Sequence, residues 1–233
     1  EEIPPNLQIN ARNDLQEKIK RFLAEENLKF GYLNAFSTPT RITILLKDFS
    51  NTIKTPSKEV RGPKVGVMED VINNFIKAHE ASRKDLLEKE NDKGKFYYVK
   101  TKAKEVQTSE IIKKIVLNSI ASIKWKKSMR WAETDLLWGR PLRSIMAIYN
   151  SRTLAFTFGH LKANDFTLIE KDLDIKTKKI KNFGDYQKLL SSNGIILNQV
   201  ERENKIIKKF ENFFKVKNFK NQFDVKLLRE VTN

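Results

Sequence analysis

The chain of 233 residues contains no cysteine, and it has only eight glycines and six prolines. Without cysteine there is no disulfide framework, no thiolate metal site and no cysteine nucleophile. No apolar run approaches the roughly 18 residues that a membrane-spanning helix needs. The acidic opening Glu1–Glu2, followed by two prolines, does not resemble a signal peptide. We therefore expect a soluble, cytoplasmic protein that makes no contact with a membrane.

Motifs that bind nucleotides or metals are also missing. The chain has no Walker loop and no Rossmann fingerprint, because Gly62 and Gly66 lie in a segment without a following Lys-Ser/Thr pair. The two histidines, His79 and His160, are far apart in the sequence, and neither has a second histidine at ligand spacing. A structural or surface histidine is the better interpretation of both. We predict no catalytic residue and no metal ligand in this chain.

Positive charge is in excess, with 45 Lys+Arg against 29 Asp+Glu and a formal net charge of +16. A surplus of this kind indicates an anionic partner, most often nucleic acid. The abundance of Lys, Asn and Ile is also what AT-rich codons produce, and this explains part of the surplus. The excess is densest in residues 124–162, which carry eight basic and two acidic side chains. This segment is therefore where we look first for a binding surface.

The spacing of apolar residues predicts both helices and strands. Helices are predicted over residues 5–27, 69–80, 108–123, 184–194 and 199–215 and near the end of the chain. Strands are predicted over residues 32–37, 41–49, 96–101, 142–149, 153–158 and 173–181, the pair around residues 150–152 forming a hairpin. Residues 50–67 are predicted to be rich in turns, and Ser82 to cap a short helix containing Leu86 and Leu87. Since no regular βαβ rhythm appears, we expect an α+β fold with mixed or antiparallel sheets, packed helices and a helical C-terminal extension.

Arginine and tryptophan are concentrated in one stretch. Lysine outnumbers arginine 34 to 11 in the chain, yet residues 128–161 contain four arginines and no lysine. All three tryptophans, Trp125, Trp131 and Trp138, lie in or beside this stretch. The pattern fits RNA binding by stacking and phosphate contact, a tryptophan core covered by arginine, or a protein–protein interface. Exposed arginines would favour RNA, and burial against Glu133 or Asp135 would favour a structural role.

Several motifs together resemble one family. They occur in the order EEIPP (1–5), STPTR (37–41), RGP (61–63), GKFYYVK (94–100), KSMRW (127–131) and WGRP (138–141). This series resembles the N-terminal region of the β subunit of bacterial glycyl-tRNA synthetase. Two positions depart from the family pattern: Asn74–Phe75 stands where a Gly-Phe pair is usual, and Leu161 replaces the arginine of a Gly-His-Arg element. We therefore assign no role that needs that arginine.

The resemblance implies a division of labour between two subunits. In this family the α subunit holds the class II active site that joins glycine to AMP and then to tRNA(Gly), so ATP and Mg would be used there and no cofactor is expected in this chain. The β subunit supplies tRNA recognition, in an assembly expected to be α2β2. Its N-terminal part is similar in architecture to a mixed α/β module of the phenylalanyl-tRNA synthetase β subunit. The chain resembles the N-terminal third of a longer protein.

We therefore expect a non-catalytic part of a glycyl-tRNA synthetase β subunit that binds tRNA and assembles with the α subunit. The alternative is a purely structural interaction module without RNA contact, and no residue constellation supports a free-standing hydrolase. We place an α+β body at residues 1–182 and a mainly helical segment, continuing into a further C-terminal part, at residues 183–233. The candidate RNA-binding residues are Lys124, Lys126, Lys127, Arg130, Trp131, Arg140 and Arg143.

Overall fold

The chain folds into two compact units in the computed structural model, which describes residues 2–55, 57–91, 94–101, 104–130, 136–171, 174–217 and 224–233. The larger unit combines Glu1–Ser50 with Ser109–Asn233. The smaller unit, Asn51–Thr108, is inserted between these two segments along the sequence. A separate domain from residue 183 onward stays a prediction.

Within the described residues, six α-helices form where the sequence predicts helices. Pro5 occupies the first turn of the first one, where its fixed φ suits a helix start and its missing N–H costs no hydrogen bond. The helices are α1 (Pro5–Glu25), α2 (Glu69–Ala78), α3 (Thr108–Ala121), α4 (Phe183–Ser192), α5 (Gln199–Lys217) and α6 (Val225–Thr232). None of the helices in the described part of the chain is long and apolar enough to cross a bilayer.

The strands form small sheets, which together with the helices confirm the α+β fold. Among the described residues the strand pairs are antiparallel except β10–β14, which is parallel. The strands are β1 (Tyr32–Thr38), β2 (Arg41–Lys47), β3 (Thr52–Thr55), β4 (Glu59–Lys64), β5 (Leu86–Asn91), β6 (Gly94–Lys100), β7 (Lys104–Gln107), β8 (Met129–Arg130), β9 (Leu137–Trp138), β10 (Ile145–Met146), β11 (Ile148–Tyr149), β12 (Arg152–Thr153), β13 (Thr157–Phe158), β14 (Leu161–Asn164), β15 (Phe166–Lys171) and β16 (Asp174–Lys179).

Three local predictions are wrong. Residues 50–67 contain strands β3 and β4, whose partners β7 and β6 lie more than 30 residues further along the chain. Ser82 caps only a single 3₁₀ turn, Arg83–Asp85, and the residues after it enter strand β5 because they pair with β6. The predicted 142–158 hairpin is shorter than expected: β11 and β12 pair around Asn150 and Ser151, whereas β13 pairs with β14.

The core of the larger unit lies between helix α4 and strands from both ends of the sequence. Buried Tyr186 and Leu190 of α4 pack with Phe36 of β1 and Ile169 of β15. Phe36 also stacks on Phe183, with ring centroids 5.8 Å apart. Full burial of a leucine side chain such as Leu190 contributes about 1.5–3 kcal/mol. The contact explains why α4 forms where its short amphipathic pattern predicts it.

A partly buried arginine, Arg202 of α5, joins three segments of the larger unit. Its Nε donates a hydrogen bond to the carbonyl of Thr232 at 2.8 Å, and its Nη2 donates to the carbonyl of Ser37 at 2.8 Å. Its Nη1 donates to the carbonyls of Ile196 at 2.7 Å and Leu197 at 3.0 Å. Burial, and then the nearby charge of Arg12, lower the pKa of Arg202. The guanidinium therefore ties α6, the end of β1 and the α4–α5 connection together.

An aromatic stack holds the chain that follows α3. The ring centroids of Trp125 and Trp138 are 5.0 Å apart, and those of Trp138 and Phe158 are 5.7 Å apart in an edge-on arrangement. Trp138 is only 7% exposed. A Cβ placed on Gly139 would fall on the six-membered ring of Trp125, so this position has no room for a side chain. The stack thus fixes residues 125 and 138–139 against β13.

Replacing Arg202 tests its joining role. We expect Arg202→Ala to lower the free energy of unfolding by about 2–4 kcal/mol, because backbone carbonyls in four residues would be left without their charged donor. Arg202→Lys should recover only part of this loss, since one ammonium cannot reproduce the planar fork. Urea denaturation followed by circular dichroism measures both. Arg229→Ala, at an exposed position near the same cluster, is the control and should change stability by less than about 0.5 kcal/mol; an equal loss in the control would contradict this role.

Replacing Gly139 tests the aromatic stack. We expect Gly139→Ala to cost about 1–3 kcal/mol of stability, because the added methyl group must displace the Trp125 ring. Thermal unfolding and near-UV circular dichroism of the tryptophans would both change. Leu137→Ala, at a 55% exposed position two residues earlier, should leave both signals nearly unchanged. A Gly139→Ala variant with normal stability and spectrum would mean that the stack is not close-packed.

Candidate nucleic-acid interface

Helix α1 fixes the direction in which the basic segment leaves helix α3. The ammonium of Lys18 contacts Asp14 at 2.6 Å and also donates to the carbonyl of Ser122. The same Asp14 carboxylate accepts the backbone N–H of Lys124 at 3.2 Å. The Asp14 carboxylate on α1 therefore binds both the Lys18 ammonium and the backbone of Lys124, the first residue of the basic segment.

Four of the seven candidate residues lie on the surface at the start of this segment. The side chains of Lys124, Lys126, Lys127 and Arg130 are all exposed. Among the described residues, no carboxylate lies within ion-pair distance of the three lysines, unlike Lys89 and Lys114, which pair with Glu59 and Glu26. Their positive charge is therefore available to an anion in solution.

The remaining candidates differ from these four. Arg140 is half-buried and donates to the carbonyl of Gly139 at 3.0 Å. Arg143 is exposed, and both of its Nη atoms lie 3.2 Å from the same carboxylate oxygen of Glu170 on β15. Trp131, together with Glu133 and Asp135, lies outside the described residues.

Strand pairing brings part of the candidate set together. In the β8–β9 ladder Arg130 is opposite Leu137, and Met129 is opposite Trp138. Arg130 and the start of the WGRP motif are therefore neighbours across one short hairpin. Arg143 is instead tied to β15. The segment brings the lysines and Arg130 onto one continuous exposed stretch.

Two residues of this site were missed by the sequence analysis. Asp14 holds the start of the basic segment from 110 residues away, and Glu170 pairs with Arg143 from 27 residues away. Neither spacing leaves a local signal in the sequence. Gly139, in contrast, has one: a glycine between tryptophan and arginine marks a position where a ring packs on the backbone.

The two histidines lie in different surroundings. The ring of His79 packs edge-on against Phe75 at the end of α2, with centroids 4.8 Å apart. His160 is exposed in the turn after β13. Within the described ranges, no three His, Cys, Asp or Glu side chains gather closely enough to hold a metal ion.

Comparison with known proteins covers the whole chain. Residues 1–233 match the family described as glycyl-tRNA synthetase beta subunit. The glycine–tRNA ligase beta subunit of Rickettsia prowazekii (strain Madrid E) is 34% identical over 232 residues, which is 100% of this chain and 35% of that protein. The protein of the same name from Rickettsia akari (strain Hartford) is 31% identical over 231 residues, 99% of this chain and 35% of the relative.

The chain therefore spans about a third of the length of the curated relatives that it matches. The resemblance carried by the KSMRW and WGRP motifs agrees with these matches. The matched range includes the two positions, Asn74 and Leu161, that depart from the family pattern. Because the family match extends from the first residue to the last, the chain belongs to the glycyl-tRNA synthetase beta-subunit family.

Proposed function

We propose that this chain is the N-terminal, non-catalytic part of a glycyl-tRNA synthetase beta subunit, which contributes to tRNA binding and to assembly with the catalytic alpha subunit. The family membership and the names of the relatives support the role in glycylation of tRNA(Gly). In this proposal ATP and Mg are used by the alpha subunit, the complex is an α2β2 assembly, and the protein works in the cytoplasm.

The observation that carries the RNA-binding part is the exposed run of Lys124, Lys126, Lys127 and Arg130. Exposed cations neutralise phosphates and release counterions, so binding depends strongly on salt. Such contacts set the position and orientation of the nucleic acid without reading its sequence. The anchoring of Lys124 by Asp14 on α1 supports a fixed position for the run.

The proposed mechanism is indirect. A chain that holds the tRNA backbone while its other surfaces dock on the alpha subunit would place the 3′ end near the glycyl-adenylate formed there. Correct placement of two reacting groups replaces a bimolecular encounter and lowers the barrier by several kcal/mol. The beta subunit would therefore raise the rate of aminoacylation without supplying a reacting group.

The second candidate function is a structural module that never touches RNA. The contacts of Arg140 with the carbonyl of Gly139 and of Arg143 with Glu170 favour it, because both guanidiniums are used within the chain. The buried Trp138 favours it as well, since a ring that is 7% exposed has little surface left for stacking on a base.

Neutralising the three lysines tests the RNA-binding proposal. We expect the triple change of Lys124, Lys126 and Lys127 to Ala, made in the full two-subunit assembly, to weaken tRNA binding by roughly tenfold. The slope of log affinity against log salt concentration should become shallower by about 0.7–0.9 for each phosphate that the variant no longer neutralises. Filter binding across a salt series measures both.

The control for this experiment removes the same charge elsewhere. Lys205, Lys208 and Lys209 are three exposed lysines on α5. Their replacement by Ala should leave the affinity and the salt slope close to those of the natural sequence, and size-exclusion chromatography should show normal assembly for both triple variants. Equal weakening in the two variants would assign the effect to net charge and contradict the location of the interface.

Arg143 distinguishes the two candidate functions. If it contacts phosphate, Glu170→Gln should release the guanidinium and raise tRNA affinity about two- to fivefold, whereas Arg143→Ala should lower it. We expect this pair of opposite changes. The ion pair is exposed, so its removal alone should alter stability by less than about 1 kcal/mol. Unchanged affinity in both variants would favour the structural module.

A further inference from the structure

The inserted unit contains a three-stranded sheet with one covered face. The strand order is β4–β6–β5. On the covered face Val99 is fully buried, with Val60 and Leu86 as its cross-strand neighbours. Helix α2 lies against this face, and Phe75 packs so closely on Gly62 that a Cβ there would come within 3 Å of the ring.

The opposite face of the same sheet carries aromatic side chains and cations. Phe96 and Tyr98 alternate with Val99 and its neighbours along β6, so both rings point away from the covered face. Both rings are half-buried. The alternation therefore puts two aromatic rings on an open sheet surface, about two residues or 7 Å apart along the strand.

A β-bulge brings two cations beside these rings. Arg61 is opposite Tyr98 and Lys64 is opposite Phe96, so three steps on β4 match two steps on β6. Residues three apart on a regular strand point to opposite faces, but the extra residue of a bulge changes this. The bulge at Gly62 and Pro63 thus places Arg61 and Lys64 on the same open face.

The cations lie close to the rings. The Cζ atom of Arg61 is 3.7 Å from the centroid of Phe96, and the Nζ atom of Lys89 is 5.6 Å from the centroid of Tyr98. Lys64 crosses Gly94, where an added Cβ would lie 3.0 Å from its Cε. The glycine leaves room for the lysine to lie flat along the sheet.

The open face is strongly basic. By register it presents four cations, Arg61, Lys64, Lys89 and Lys100, and one carboxylate, Glu59, which pairs with Lys89 at 2.6 Å. The acidic residues of β5, Glu88 and Glu90, alternate with Lys89 and so belong to the other face. The open side of the sheet therefore combines four cations and two aromatic rings with a single carboxylate.

We propose that this face binds unpaired RNA nucleotides, with a base stacked on Tyr98 and phosphates held by Arg61, Lys64 and Lys100. Aromatic rings on an open sheet stack bases, and neighbouring cations track the backbone, in proteins that bind single strands. An acidic polypeptide would match the charge but would leave the rings unused. The inference rests on the proposed function only because it takes tRNA as the natural source of the nucleotides. The sheet face contains none of residues 124–143, which form the first proposed interface.

The test measures binding of a fluorescent oligouridylate of 12 nucleotides to the full two-subunit assembly. We expect Tyr98→Ala to weaken binding roughly 5- to 150-fold, the range for removal of one stacking platform. Tyr98→Phe should retain the affinity, because stacking needs the ring and not the hydroxyl group. Arg61→Gln with Lys64→Gln should lower both the affinity and the salt slope.

A matched control comes from the larger unit. Tyr32 is 42% exposed and also lies near a lysine, with Lys47 Nζ 6.0 Å from its ring centroid. Tyr32→Ala should leave oligouridylate binding unchanged. Equal affinity of the Tyr98→Ala and natural proteins, or equal weakening with Tyr32→Ala, would overturn the proposal. Displacement of the oligouridylate by polyglutamate at similar concentration would also overturn it, in favour of an acidic polypeptide.

The outcomes also separate this inference from the proposed function. If Tyr98→Ala abolishes oligouridylate binding while the triple change at Lys124, Lys126 and Lys127 leaves tRNA binding intact, the sheet face is confirmed and the first interface is wrong. If the triple change weakens tRNA binding and Tyr98→Ala changes nothing, the first interface stands and the sheet face does not bind RNA.

Discussion

The larger unit depends on the guanidinium of Arg202, which is hydrogen-bonded to backbone carbonyls. Arg202 donates to carbonyls of Ser37, Ile196, Leu197 and Thr232, and so joins α5 to residues that lie up to 165 positions away from it in the sequence. A planar fork with several fixed donors can satisfy carbonyls in different directions, which the single ammonium of lysine cannot do. The chain therefore uses arginine at this junction, although lysine is its usual cation.

Local signals in the sequence predict the helices but not this junction. Pro5 and the apolar spacing of α1, or the pattern of α4, act within a few residues, and those helices form as predicted. Strand β4 and the Arg143–Glu170 pair need partners from distant parts of the chain, and no spacing rule encodes such partners. Arg202 lies among the charged residues of a surface helix. The sequence distinguishes it from its neighbours only because it is an arginine in a chain whose usual cation is lysine.

Arginine and aromatic residues have two different roles in this protein. Trp125 packs on Trp138, and Trp138 packs on Phe158, so these two tryptophans support the basic segment from inside. On the β4–β6–β5 sheet the rings of Phe96 and Tyr98 lie on an open face beside their cations. Composition alone gives both regions the same appearance, although Trp138 is buried whereas Phe96 and Tyr98 are half-buried.

A bulge of one residue puts Arg61 and Lys64 on the same face of the sheet. If residues 61–64 formed a regular ladder instead, these two cations, three residues apart, would point to opposite sides, and one of them would be directed into the face covered by Phe75. Burial of an unpaired cation there would cost several kcal/mol. Gly62 is small enough for Phe75 to pack on it, and Pro63 needs no ladder donor. In the sequence Arg-Gly-Pro-Lys, the glycine therefore allows close packing on the covered face, while the arginine and the lysine both add positive charge to the open face.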